Sequence, residues 1–344
     1  LGGRRIIKKK NGLVAGNTTV GHRFHHKGAV TISGVEDYAS ALRAAHVIVD
    51  HDERAAIIRD GAAKAASDAG FVLVEDEGLV VENAGLTEWP VPLLGRYDPA
   101  FLEVPPEVIQ LTTRINQKYF VVRDSAGALA PAFVCTANIA AHDGGQAIVA
   151  GNEKVLAARL SDARFFWELD QKKTLEQHAT KLSAITFHEK LGSVAERINR
   201  TAGMAYFAMR RGWLPPLSHL IQSEDDLEKI VLKAKADLVT EMVGEFPELQ
   251  GVMGAYYAAK ERLPREVSLA ISEHYKPVGQ HDRVPTEPLS IVIALCDKLQ
   301  ALTGFFAAGI RPTGSKDPFA LRRQALGAIR IIIENNLRIP LREL

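Results

Sequence analysis

The sequence of 344 residues is poor in several features that would narrow its class at once. Two cysteines, Cys135 and Cys296, are too few for a disulfide framework and favour a reducing compartment such as the cytoplasm. The formal net charge is only +1, so an affinity for nucleic acid would have to come from local basic clusters. No uninterrupted apolar run approaches the roughly 20 residues that cross a bilayer, which predicts a soluble protein.

The beginning of the chain and its motifs show two further absences. The first residue is Leu1 rather than methionine, so we expect a fragment of a longer protein, and the basic start LGGRRIIKKKNG lacks the apolar core of a secretory signal. Phosphate-loop, dinucleotide-binding and nucleophile-elbow motifs are missing. The sequence therefore predicts no self-contained catalytic site.

The first part of the chain mixes strand and helix patterns. Short β-branched runs at 29–33 and 71–74 accompany alanine-rich helical patterns at 35–50 and 54–68. Two further β-rich runs lie at 118–123 and 131–136, and the turn residues Asp-Ser-Ala-Gly between them predict a β-hairpin.

The character of the sequence changes near Gly151. A proline-free stretch at 152–212 carries leucines and aromatic residues at helical spacing, and further helices are predicted at 224–246, 289–308 and 318–335. For the last of these helices, Asp317 suits the N-cap and Pro318 the first helical position. We predict an α+β fold, with an α/β domain over residues 1–150 and an all-α domain over residues 151–344.

Histidines offer two possible metal motifs. His22, His25 and His26 could ligate a metal, but no cysteine or carboxylate follows at a structural zinc spacing, so a surface loop is the preferred interpretation. An adjacent His-Asp pair marks the HD metal phosphohydrolases, and such pairs begin at His51, His142 and His281. Each lies near turn residues or an element edge, which favours a surface position.

A better match to the HD pattern has lost its histidine. In KADLVTEMV, Ala236 precedes Asp237 in a helical context, and Asp297 matches the distant aspartate of the pattern. The first histidine of the pattern would fall at 195–201, where there is none. Alanine cannot ligate a metal, so Ala236, Asp237 and Asp297 are interpreted as degenerate HD positions, and a metal-dependent phosphohydrolase remains the alternative function.

A basic run near the start could meet phosphates of RNA. It comprises Arg4, Arg5, Lys8, Lys9 and Lys10. A solvated edge strand explains the same residues equally well, because lysines discourage edge pairing.

Three arginines lie on the helix predicted after Pro318. Arg323 and Arg330 share a face, and together with Arg322 they could grip an RNA backbone or form salt bridges with Glu334 or another domain. The aromatic run at 165–167 is interpreted as core rather than as a base-stacking platform.

Six segments are informative through their exact residue sequences rather than through any chemistry they suggest. They are GHRF from Gly21, EWPVPLLG from Glu88, QKYF from Gln117, GNEKVLAARLSDARFFWELDQKK from Gly151, KADLVTEMVGEFPELQGVMGAYYA from Lys235 and RPTGSKDPFALRRQALG from Arg311. In this order, and over nearly the whole chain, they resemble the beta subunit of the two-subunit bacterial glycyl-tRNA synthetase.

The resemblance implies a fold and a division of labour. The α/β domain would be similar to the tRNA-synthetase domain in the beta chain of the phenylalanyl-tRNA synthetase, and the helical domain would be a degenerate HD-like scaffold. The chain would serve tRNA(Gly) binding and ATP-dependent glycyl-tRNA formation in a cytoplasmic heterotetramer, where the alpha subunit uses ATP and Mg. No cofactor, metal, membrane or DNA is expected for this chain, and its C-terminal anticodon-binding portion would be missing.

Overall fold

The computed structural model describes Lys9–Lys10, Leu13–Val14, residues 16–217 and residues 219–343. The chain divides into two compact units, the first ending at Arg164 and the second beginning at Phe165. This boundary falls inside a long helix that begins at Gln146, so the composition change near Gly151 lies within that helix.

The first unit combines a four-stranded sheet with helices, two short strand pairs and two short helical turns. Its strands are β1 (Lys9–Lys10), β2 (Leu13–Val14), β3 (Thr18–Val20), β4 (Ala29–Thr31), β5 (Val72–Leu73), β6 (Val91–Arg96), β7 (Phe120–Arg123) and β8 (Leu129–Ala137). Its helices are α1 (Val35–Ala44), α2 (His51–Asp68), α3 (Glu77–Leu86), α4 (Pro106–Leu111) and α5 (Gln146–Asp170). A 3-10 turn at Pro99–Glu103 and a π-helical turn at Thr112–Asn116 flank α4.

The sheet has the strand order β5-β7-β8-β6, and each of these neighbouring pairs is antiparallel. The predicted hairpin is confirmed as β7 and β8. Asp124 closes its turn, since the Asp124 carboxylate accepts from the backbone N–H groups of Ala126 and Ala128, both at 2.9 Å. Gly127 occupies the left-handed region at φ +83, where glycine is strain-free. We therefore describe the first unit as α+β rather than α/β.

The core of the first unit lies between helix α2 and one face of the sheet. The alanines of α2 at 55, 62 and 66 are buried with Ile58, and their small size lets the helix approach the strands closely. Phe120 and Val134 face them from β7 and β8. A Cβ at Gly61 would lie only 2.8 Å from Pro92 Cγ, so close approach is required there.

The second unit is mainly helical, as predicted. Its helices are α6 (Leu175–Ala179), α7 (Val194–Arg210), α8 (Glu224–Lys235), α9 (Glu241–Glu245), α10 (Val252–Lys260), α11 (Arg265–Glu273), α12 (Pro288–Ala307) and α13 (Leu321–Glu334). A short antiparallel pair, β9 (Thr186–His188) and β10 (Gly192–Ser193), interrupts the stretch that was predicted to be helical throughout.

Helix α12 is the core of this unit. In the described part of the chain it is the one helix long and apolar enough to cross a membrane, and 72% of its apolar window is buried inside the protein. Leu289, Val292 and Leu295 are among its fully enclosed side chains. This burial is typical of the central helix of a globular domain.

Two helix boundaries differ from the sequence prediction. The predicted helix at 224–246 is wrong, because α8 ends at Lys235, a 3-10 turn spans Ala236–Val239, and Thr240 then caps α9. The last helix begins at Leu321 rather than Pro318. Asp317 nevertheless caps it, since its carboxylate accepts from the N–H groups of Leu321 at 2.8 Å and Arg322 at 2.9 Å.

The aromatic run at 165–167 is only partly core. Trp167 is buried and stacks on Tyr257, with ring centroids 5.3 Å apart, as predicted. Phe165 is 58% exposed, so the core interpretation is wrong for that residue. The run lies on helix α5, whose turns present neighbouring residues to opposite sides.

Asp170 is the main polar connection inside the second unit. Its buried carboxylate accepts from the N–H groups of Glu241 and Met242, both at 2.9 Å, and from the Tyr257 hydroxyl at 2.8 Å. Asp170, the last residue of α5, therefore caps α9. Through the Tyr257 hydroxyl it also connects α10 to α5 and α9. Burial and the neighbouring Asp170 raise the pKa of the Tyr257 hydroxyl, which stays protonated as the donor.

We expect Asp170→Asn to lower the free energy of unfolding by about 2–3 kcal/mol, because an amide group cannot accept from all three donors and leaves buried N–H groups unpaired. Urea unfolding followed by circular dichroism measures this loss. Asp162→Asn, an exposed charge change on the same helix, is the matched control and should have little effect. Equal stability of the two variants would contradict the role of Asp170.

Candidate functional site

Asp237, the first of the degenerate HD aspartates, caps a helix. Its Oδ2 accepts from the backbone N–H groups of Gly251 at 2.5 Å and Gly254 at 3.0 Å, at the start of α10. Gly251 has φ +81, and a Cβ on Gly254 would lie 3.0 Å from Asp237 Oδ2. Both glycines are therefore required for the close approach of this carboxylate.

Burial dominates the protonation of Asp237. The side chain is fully enclosed, and this desolvation raises its pKa to about 6, against the opposing effect of the two backbone hydrogen bonds. Its Oδ1 has no hydrogen-bond partner among the described residues.

Asp297, the second aspartate, is held by two cations. Arg197 Nη2 lies 3.0 Å from Oδ1, and Lys235 Nζ lies 3.3 Å from Oδ2. Burial opposes ionisation of this carboxyl, but Arg197 and Lys235 more than offset it and hold its pKa well below the usual range. The three side chains connect α7, the end of α8 and α12.

Lys298 and His274 complete this group, which we call the buried ionic cluster (Arg197, Lys235, His274, Asp297 and Lys298). Burial lowers the pKa of both lysines to about 8, although the Asp297 charge opposes that shift. Burial also lowers the pKa of His274 far enough to keep it neutral, and its Nδ1 lies 2.6 Å from the Ile271 carbonyl oxygen.

Tyr275 contacts both lysines of the buried ionic cluster. The Lys298 ammonium donates to the Tyr275 carbonyl at 2.9 Å, and Lys235 Nζ lies 4.1 Å from the centroid of the Tyr275 ring. Cation–π contact and a carbonyl acceptor both stabilise a buried ammonium.

The cluster has a donor set that does not suit an HD metal site. HD chemistry needs histidine and aspartate ligands that converge on a metal, but Arg197 occupies the 195–201 window where the first histidine was sought, and its guanidinium takes one Asp297 oxygen. Lys235 takes the other. Within the described residues no group of three or more His, Cys, Asp or Glu side chains could hold a metal. The arrangement can cross-link helices, whereas it offers no means of activating water.

Sequence reasoning found the two aspartates and missed their partners. Arg197, Lys235, His274 and Lys298 were not singled out. A usable signal existed for the lysines, because each is adjacent to or near a degenerate aspartate on an otherwise apolar helix face. His274 had no such signal, since only the loop after α11 brings it to the cluster.

The three candidate arginines of α13 have different environments. Arg330 donates to Glu334 at 2.8 Å and to the carbonyl oxygens of Gly279 and Gln280, both at 3.2 Å, so the salt-bridge alternative is correct for it. The Arg322 guanidinium bonds to the Thr313 carbonyl. Arg323 is exposed and forms no hydrogen bond or ion pair with any residue that the structure describes.

The segment that begins at Arg311, one of the six that carry the resemblance, forms a structured loop before α13. Phe319 stacks on Phe305 of α12, with centroids 4.4 Å apart, and meets His188 edge-on at 5.3 Å. Asp317 caps α13 as described, and Ala320 takes a left-handed conformation at φ 52 just before the helix. These contacts explain the wording of the segment by local structure.

The histidine segment of the first unit is not simply a surface loop. His22 is fully buried, which corrects that interpretation for this residue, and its Nε2 lies 2.6 Å from the Asn138 carbonyl oxygen. Its Nδ1 accepts from the N–H groups of Phe24 and His25. His25 stacks on His46 at 4.6 Å. Both nitrogens of His22 are thus engaged in holding the segment.

The remaining predicted positions have different outcomes. His142 and His281 are exposed, as the surface interpretation requires, whereas His51 is half-buried at the start of α2. Arg4, Arg5 and Lys8 lie outside the described residues. Lys9 and Lys10 form strand β1 against β2, in accordance with the strand alternative for the basic run.

Comparison with known proteins is consistent across the chain. The sequence model of a family described as "Glycyl-tRNA synthetase beta subunit" matches residues 1–344. The glycine–tRNA ligase beta subunit of Phenylobacterium zucineum is 49% identical over 338 residues, which are 96% of this chain and 49% of that protein. That of Rhodospirillum centenum is 48% identical over 95% of this chain and 45% of its own length. The chain spans about half the length of these relatives.

For the buried ionic cluster, we expect Asp297→Asn to cost about 3–5 kcal/mol of stability, because Arg197 and Lys235 would remain buried without a counter-charge. Lys235→Met should cost less in the Asp297→Asn background than in the wild type, and urea unfolding of the four proteins in a double-mutant cycle measures the difference. Asp225→Asn, an exposed change on α8, serves as control. Strictly additive losses would contradict an ion pair between the two residues.

For Asp237, the pKa is about 6 in the folded protein and 3.8 as the ordinary value, so the unfolded chain releases its proton first as pH rises. The free energy of unfolding should therefore fall between about pH 4 and pH 6, with a slope of up to about 1.4 kcal/mol per pH unit from this group, and level off above. Asp237→Asn keeps an acceptor oxygen for Gly251 and Gly254 and should remove this contribution. Urea unfolding across the pH range tests it, and an unchanged profile would refute the assignment.

Proposed function

The chain belongs to the glycyl-tRNA synthetase beta subunit family, and on this premise we propose that it supports tRNA(Gly) binding within a two-subunit glycine–tRNA ligase. In this proposal the catalytic alpha subunit forms glycyl-tRNA with ATP and Mg, in a cytoplasmic heterotetramer. The chain contributes RNA contacts and rigid scaffolding, and it acts on neither membrane nor DNA.

The observation that carries this proposal is what Asp237 and Asp297, the two aspartates at the predicted HD spacing, bind in the structure. Asp237 and Asp297 are bound by protein donors, Asp237 by two backbone amides and Asp297 by Arg197 and Lys235. Asp237 Oδ1 is the one oxygen of these two carboxylates without a described partner, and no group of three or more His, Cys, Asp or Glu side chains among the described residues could hold a metal. This supports a non-catalytic role and gives no support to the phosphohydrolase alternative.

We also propose that the second unit is related to the HD proteins, because of the positions of three residues on its helices. Asp237 follows α8, Asp297 lies on α12, and Arg197 lies on α7 where the pattern places its first histidine. Replacement of a metal by an arginine and a lysine preserves the link between these helices, because cations again neutralise the central aspartate. A similarity of the first unit to the synthetase domain of the phenylalanyl enzyme's beta chain belongs to the same proposal.

Among the candidate RNA contacts, Arg323 has the strongest support. The Arg322 guanidinium donates to the Thr313 carbonyl, and the Arg330 guanidinium donates to Glu334 and to backbone carbonyls. Arg323 is exposed and has its donors available. A free guanidinium suits bidentate binding of a phosphate. The basic run of the N-terminus, including Lys9 and Lys10, is the second candidate.

In a full-length beta subunit combined with its alpha subunit, we expect Arg323→Gln to weaken tRNA(Gly) binding roughly tenfold through loss of a charged hydrogen bond. The slope of log affinity against log salt should fall in magnitude by about one, as for one phosphate contact. Binding titrations at several salt concentrations measure both effects. Arg338→Gln, another exposed arginine without a described partner, is the control, and equal affinity of the two variants would remove Arg323 from the proposal.

A further inference from the structure

A cleft in the second unit lies between the loop after α11 and helix α13. It consists of two adjoining cavities of about 290 and 560 Å³, which share Pro277, Val278 and Arg323 as lining residues. The larger cavity falls within the roughly 300–1,000 Å³ typical of small-molecule sites. Neither cavity is explained by the roles described above.

The smaller cavity has a cationic floor. Lys298 lies there almost fully buried, and its only described hydrogen bond goes to the Tyr275 carbonyl, so two of the three ammonium donors remain. Arg323 lines the same cavity with no described partner. Gln324 adds an amide group, and Glu248 is the one carboxylate among the described lining residues. Two cations thus face one exposed acid.

The buried ionic cluster reinforces this positive character. Arg197, Lys235 and Lys298 are three cations around the single carboxylate of Asp297, and His274 is neutral. Asp237 acts on Lys235 and Asp282 on Lys298, so these two carboxyl groups offset part of the positive charge from outside the cluster. A bound anion beside Lys298 would give a nearby counter-charge to an ammonium group whose one described hydrogen bond goes to a carbonyl, and such pairing stabilises a buried charge.

The larger cavity offers apolar walls. Val278 and Leu326 are each 56% exposed although they line a concave surface, and Pro277 and Gly327 lie beside them. A Cβ on Gly327 would lie 2.8 Å from Lys298 Cε, so this glycine allows α13 to cross directly over the lysine. The two cavities therefore meet at a short distance from both a cation and an apolar wall.

The cleft is held in shape by contacts of its own. Arg330 at the far end donates to the Gly279 and Gln280 carbonyl oxygens and to Glu334, which fixes the loop against the helix. Asp282 accepts from the Val278 N–H at 2.8 Å and constrains the same loop. A preformed cleft avoids the ordering cost that a mobile one would impose on binding.

We propose that this cleft binds one nucleotide, with its phosphate on Lys298 and Arg323 and its base against Val278 and Leu326. A nucleotide joins an anion to a flat, largely apolar ring with a polar edge. The anion matches the cationic floor, the ring matches the apolar walls, and its polar edge matches Gln280, which also lines the larger cavity. The inference goes beyond the proposed function, because it holds whether the nucleotide is free or is an unpaired residue of an RNA.

The test is calorimetric titration of the 344-residue chain with AMP, adenosine, inorganic phosphate and a short single-stranded RNA. We expect AMP to bind more tightly than adenosine or phosphate alone, because only AMP fills both cavities. Tighter binding of the RNA would assign the site to an unpaired RNA residue, and exclusive binding of AMP would assign it to a free nucleotide. Both results support the proposal.

Variants separate the two halves of the site. Arg323→Gln should weaken AMP about ten- to a hundredfold through loss of a charged contact, and Leu326→Ala should weaken AMP while leaving phosphate unchanged. Arg338→Gln and Ile333→Ala are matched controls outside the cleft. Lys298→Met should abolish phosphate binding, with circular dichroism to confirm that the variant is folded.

The proposal is overturned if AMP fails to bind at millimolar concentration, if the cleft variants behave like their controls, or if an acidic peptide binds more tightly than AMP. A failure of Arg323→Gln to affect tRNA binding would leave these AMP measurements unaffected. The two proposals can therefore fail separately.

Discussion

The ion pairs of Asp297 with Arg197 and Lys235 are the constraint on which the second unit depends. Three helices, α7, α8 and α12, are brought together around a buried carboxylate. A buried charge is tolerated only when it is neutralised and hydrogen-bonded, so the position of each helix is tied to the others through this one residue. Tyr275 and Lys298 extend the same network to the loop that follows α11.

The two aspartates interpreted as degenerate HD positions are both bound by donors of the protein itself. The first aspartate, Asp237, accepts from two backbone amides at the start of α10, and its glycine partners permit the close approach. The carboxylate of Asp237 is therefore needed to cap a helix, and function has to be sought on other surfaces of the fold.

The family signature around Arg311 has a similar explanation. Its aspartate caps α13, its phenylalanine stacks on α12, and Arg322 ties the loop to its own backbone. Asp317, Phe319 and Arg322 each make a local structural contact, which gives part of the segment a structural reason for its sequence. Among the three candidate arginines of α13, Arg323 is the one without a described hydrogen bond or ion pair, and it lines a cleft.

The sequence by itself determined the family, the mixed first part, the helical second part and the β7–β8 hairpin, because periodicity, turn residues and motif wording are local properties. It also singled out Asp237 and Asp297, and their interpretation as degenerate HD positions stays a prediction. Only the tertiary structure decided what those aspartates bind, where α8 ends, and which arginine of α13 is free. The physical reason is that Arg197, His274 and Lys298 reach the cluster through contacts between residues far apart in the chain, and a pattern read along one helix carries no information about the charges that another helix places against it.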